Sequence, residues 1–128
     1  MEPRFPQEYR HFWEPYTASS ALYHLTTREN YNRIMREGVL LPRDPAPNQW
    51  AGLAAVFLTD PNDLFFDVSY ASVLNHVRTK HHDVVRLHVR TQNPLWRSNE
   101  GGISQIVSLR PISFSEIINV EHLRTFGI

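Results

Sequence analysis

The chain has 128 residues, 41% apolar and 12% aromatic, the length of one domain with material for a single core. Its 13 basic and 13 acidic side chains cancel, which argues against broad non-specific binding to nucleic acid or an anionic membrane. Cysteine is absent, so disulfides, thiolate nucleophiles and zinc–cysteine centres are excluded. No apolar run approaches the roughly 20 residues of a membrane helix. Arg4, Glu8, Arg10 and Glu14 interrupt any signal-peptide core. No membrane partner and a cytoplasmic location are therefore expected.

Residues 1–19 carry Phe5, Tyr9, Phe12, Trp13 and Tyr16 among Pro3, Pro6 and Pro15. They read as a loosely helical N-terminal arm that lays its rings on the body. Residues 21–26 read as a strand, with Leu22, His24 and Thr26 on one face and Ala21, Tyr23 and Leu25 on the other. A helix follows. Thr26 and Glu29 have capping-box spacing, Tyr31, Ile34 and Met35 share a helical face, and Gly38 suits a left-handed terminus. Residues 39–43 then read as a second short strand.

Residues 44–53 form a proline-bearing loop whose one large ring, Trp50, either packs on the body or faces a ligand. Ala55 to Thr59 reads as a buried strand and Asp60-Pro61-Asn62-Asp63 as a turn. Phe66, Tyr70, Val73, Leu74 and Val77 recur at helical spacing, so residues 64–78 read as helix. Val85, Leu87 and Val89 alternate with Arg86, His88 and Arg90, a half-buried strand. Residues 91–103 read as a loop and 104–109 as a strand. A bend with one helical turn spans 111–118, and a last strand spans 120–123. The fold class is α+β.

The stretch from His76 to Arg90 holds Arg78, Lys80, His81, His82, Arg86 and His88, opposed only by Asp83. It reads as a solvated face or as a patch that meets phosphates. No metal site is expected, because adjacent His81 and His82 point apart in extended chain and no second cluster completes a set.

The order of elements resembles the ADP-ribosyltransferase fold, through Leu22-Tyr23-His24-Leu25-Thr26, Ile34 to Leu40, Val56 to Thr59, Tyr70-Ala71, Gln105-Ile106-Val107 and the bend from Pro111 to Ile117. The likeness is to DarT-type DNA ADP-ribosyltransferases, whose opening motif is a histidine-bearing strand followed by a helix-borne asparagine, matched here by His24 and Asn30. It spans roughly residues 21–123, with short motifs. It implies two small packed sheets with flanking helices and NAD, as substrate, in the cleft between them. His24 would bond a ribose hydroxyl, with Leu25, Thr26, Asn30 and Tyr31 nearby and Tyr70 stacking on nicotinamide; Trp50 and Tyr31 are alternative rings. The acceptor would be DNA, RNA or protein. A toxin-like role, with an antitoxin partner, is an analogy from fold.

The chain departs from that family where a carboxylate would stabilise the oxocarbenium-like ribose. The aligned residue is Gln105, which keeps a hydrogen-bonding amide but no charge. Loss of one preorganised electrostatic group costs about 3–4 kcal/mol of transition-state stabilisation. Three readings stay open: Glu100 supplies the carboxylate, the chain only binds NAD or ADP-ribose, or glutamine replaces an active glutamate. An RNA 2′-phosphotransferase-like enzyme and a non-catalytic binding module are the alternatives in function.

Overall fold

The computed structural model describes residues 12–43, 53–63, 66, 70, 71, 73–75, 83–98 and 105–124. The strands are β1 (Glu14–Tyr16), β2 (Leu22–Thr27), β3 (Val39–Leu40), β4 (Val56–Leu58), β5 (Asp83–Val89), β6 (Leu95–Ser98), β7 (Gln105–Ser108), β8 (Ile112–Ser113) and β9 (Ile117–Arg124). Helix α1 spans Arg28–Glu37, and a 3-10 turn spans Phe114–Glu116. Residues 66, 70, 71 and 73–75 are helical, within the predicted second helix. Every strand pairing is antiparallel. A four-stranded sheet runs β1-β6-β7-β4, a three-stranded sheet β2-β5-β9, and a two-stranded ribbon β3-β8. Antiparallel sheets with separate helices make this a mixed fold of the α+β type. No helix among the described residues is long and apolar enough to cross a membrane.

Alternation along the strands explains the packing. Leu22, Val85, Leu87 and Val89 of the three-stranded sheet meet Val56, Leu58, Leu95 and Ile106 of the four-stranded sheet in one buried cluster. Ile34 of α1, Leu40 and Ile112 complete it. The other face of the four-stranded sheet carries a second cluster of Trp13, Leu53, Ala55, Val107 and Leu109, edged by Phe57 and Trp96. Burying one such aliphatic side chain contributes about 1.5–3 kcal/mol. These two layers fix β4 and β7 from both sides.

Local details correct the sequence reading. The N-cap of α1 is Thr27, whose hydroxyl accepts from the Asn30 amide at 3.1 Å. Thr26 cannot cap because β2 runs one residue further, pairing Thr26 with Val85 and Thr27 with Val84. The expected Thr26–Glu29 box is therefore absent. Gly38 ends the helix at φ 74, its amide bonding the Ile34 carbonyl at 2.8 Å, as the sequence predicts. Met35 is 53% exposed; Ile34 is the buried residue of the expected stripe.

Three strands went unread; one, Ile112–Ser113, lies in the expected bend and pairs with β3. Glu14–Tyr16 lies in the expected arm and Leu95–Ser98 in the expected loop, and they pair with each other. Pro15 sits comfortably because β1 is the sheet's edge, where a missing amide breaks no ladder. The predicted turn at 60–63 is a hub. Tyr16 donates to the buried Asp60 carboxylate, and Arg97 holds Asp63 with Nε at 2.7 Å and Nη2 at 3.2 Å. Most of the 44–53 loop, and residues 1–11 of the arm, lie outside the described residues.

Candidate functional site

The two larger sheets meet where Tyr23 bridges Thr59. The Tyr23 amide donates to Thr59 O at 2.7 Å, and the Thr59 amide donates to Tyr23 O at 2.9 Å. In an antiparallel ladder the next carbonyl facing β2 belongs to the residue two positions back along β4, Phe57. β2 makes no ladder there, and the imidazole of His24 takes its place, with Nδ1 bonding Phe57 O at 2.8 Å. A carbonyl oxygen only accepts, so Nδ1 carries the hydrogen and Nε2 holds the lone pair. Burial pushes the His24 pKa below its ordinary value, against the smaller pull of the Phe57 carbonyl, and so favours the neutral ring. Nε2 makes no hydrogen bond among the described residues. His24 is thus a half-buried, neutral acceptor at the point where the sheets part.

Gln105 opens β7 and pairs with Ser98. One step beyond the Leu58–Ile106 pair the two chains reach Thr59 and Gln105, so β2 and β7 flank the same end of β4. Gln105 alternates with Val107, on the Phe57 face of its sheet. His24 alternates with Leu22 and Thr26 on the face turned to the main core. A ligand touching both must cross β4.

The other expected site residues divide. Leu25 and Thr26 are buried within β2, paired with Arg86 and Val85. The Asn30 amide donates to the Thr27 cap, and its Oδ1 accepts from Arg33 Nη2 at 2.7 Å. Tyr31 sits edge-on to His122 at 5.5 Å. Tyr70 is not brought to His24. Its ring meets Tyr23 and Phe66, and its hydroxyl accepts from Arg86 at 2.9 Å. Tyr23 and His24 are consecutive in a strand and point to opposite faces, so Tyr70 lies on the wrong side of the sheet to stack beside the imidazole. Trp50 and Glu100 lie outside the described residues.

Sequence reasoning missed a polar network on that second face. Glu121 on β9 binds Arg86 at 2.5 Å and also binds His88. Arg86 lies 4.9 Å over the Tyr23 ring, a cation–π contact. Hydrogen bonds from Arg86 and then His88 hold the Glu121 carboxyl below the usual glutamate range. The Glu121 bond likewise raises the Arg86 guanidinium. Within the described part of the basic stretch, Arg86 is paired with Glu121, which also binds His88; His76 to His82 lie outside the described residues. The only signal in the sequence was the alternation of Arg86 and His88. Their partner emerges from the β5–β9 register, 35 residues away for Arg86.

Clefts lined by described residues include three away from His24 and Gln105. One of about 450 Å³ lies between the linkers at 17–20 and 90–94. Two smaller ones, of about 250 and 300 Å³, flank α1. Neither His24 nor Gln105 lines these three. No group of three metal-ligating side chains occurs among the described residues. No protein-family model matches the chain, and no curated protein matches it.

Proposed function

We propose that this chain is an ADP-ribosyltransferase-like protein that binds NAD where β2 separates from β4. The observation that carries the reading is His24. Its Nδ1–H is taken up by Phe57 O, burial favours the neutral form, and Nε2 is left as an acceptor at the parting of two sheets. A ribose hydroxyl is a donor of matching chemistry.

In the transferase reaction the bond between nicotinamide and ribose breaks, and its electron pair leaves with nicotinamide. The ribose becomes oxocarbenium-like until a nucleophile of the acceptor attacks. Gln105 lies on the other face of its sheet and meets that sugar only where the ligand crosses the end of β4; there its amide can hold a hydroxyl but offers the cation no countercharge. A binding module for NAD or ADP-ribose is the second reading, favoured by that uncharged side chain.

Calorimetry with NAD tests the shared premise. The chain as given is expected to bind NAD, and His24→Phe, checked for a native melting transition, to bind about tenfold more weakly, as loss of one hydrogen bond at a partly desolvated site implies. Equal affinity of the two, or no binding by either, would remove the reading.

A further inference from the structure

We propose that the cleft between the β1–β2 and β5–β6 linkers is a binding site for a nucleoside monophosphate, separate from the His24 position. Its volume, about 450 Å³, lies within the range of small-ligand sites. The lining combines one cation with hydroxyls, amides and an apolar wall. Arg90 is exposed at its mouth and forms no ion pair among the described residues. No aspartate or glutamate lines the cleft. The nearby Glu116 carboxylate is taken up by backbone amides, accepting from Ser113 and Gln92, both at 3.1 Å, and makes no ion pair with Arg90. The Arg90 guanidinium is therefore left for an external anion, and a phosphate matches its planar fork.

The walls are held before any ligand arrives. Asn93 donates through Nδ2 to Ser108 Oγ at 3.1 Å and to Pro111 O at 2.8 Å, which pins the 90–94 linker to the four-stranded sheet. Asn62 donates to Ser20 Oγ at 2.6 Å, which pins the other linker to the 60–63 turn. Tyr16, Ala18 and Leu95 give the apolar side, against which a base can lie. Thr17 and Gln92 add polar groups to the lining, which a sugar's hydroxyls can use. A bare phosphate would use only Arg90, and an uncharged nucleoside only the remainder; a nucleoside monophosphate uses both.

Amide chemical shifts of the full chain, titrated with AMP, adenosine, ribose 5-phosphate and inorganic phosphate, test this. AMP is expected to move the amides of residues 17–20 and 90–93. The other three should reach the same displacement only at about tenfold higher concentration or more. Arg90→Gln removes a side chain with no ion-pair partner among the described residues and should weaken AMP about tenfold while leaving adenosine unchanged. Ala18→Trp fills the cleft and should abolish the AMP shifts with the melting transition retained. His24→Phe should leave AMP binding intact, which separates this site from the NAD reading. AMP shifts centred on His24, ribose 5-phosphate equal to AMP, or an AMP affinity indifferent to Arg90→Gln would overturn the assignment.

Discussion

Arg86 on β5 and Glu121 on β9 stand opposite each other in register, and their side chains close an ion pair at 2.5 Å. The same carboxylate binds His88, while Arg86 donates to Tyr70 of the second helical segment. One glutamate thus ties two strands, and through Arg86 a helix, on a face that the main core does not reach. Glu121→Ala leaves two partly buried donors without their acceptor and is expected to lower stability by about 1–3 kcal/mol at neutral pH. The direction with pH follows from linkage. The folded-state pKa of Glu121 is lowered, so its contribution is complete above the ordinary glutamate value of 4.5 and is lost as pH falls through the lowered one. Urea denaturation from pH 7 to pH 3 should show a steeper acid loss for the chain as given than for Glu121→Gln; parallel curves would count against this role.

The state of His24 is open to direct measurement. Its ring should titrate below the ordinary histidine value of 6.5, because burial outweighs the carbonyl bond. By linkage its contribution is present above 6.5 and lost as pH falls towards the lowered folded value. Long-range nitrogen–proton correlation at pH 7 should find hydrogen on Nδ1 and a bare Nε2. The opposite tautomer would break the argument that this ring accepts from a ligand.

Tyr16 donates to Asp60, a carboxylate only 2% exposed, and burial with this bond pushes the phenol well above the ordinary tyrosine range. Tyr16→Phe leaves Asp60 with the Asn62 amide at 2.9 Å and one fewer donor. The expected loss is about 1–3 kcal/mol, read from thermal or urea unfolding. A neutral result would show that Asp60 finds another donor.

How much of this was legible in the sequence follows from the range of the interactions. The strand at His24, the glycine stop at Gly38 and the turn at Asp60 are set by neighbours within a few residues, and they could be read. The N-cap slipped by one because strand pairing, Thr27 with Val84, overrode a local signal. The β1–β6 pair was invisible because each strand is short and Pro15 looks like a breaker away from an edge. Tyr70 was expected beside His24 because helical spacing fixes a face of the helix and not the side of the sheet that it covers. The role of Glu121 needs the β5–β9 register, which no periodicity reports.

Release of nicotinamide from NAD, measured for the chain as given beside Gln105→Glu, bears most directly on the proposed site. On the proposed reading, placing one charged group beside the ribose cation should raise the rate about a hundred- to a thousand-fold, with NAD affinity little changed. If neither protein releases nicotinamide and neither binds NAD, then residue 105 faces no ribose and the imidazole of His24 is only a structural plug between two sheets.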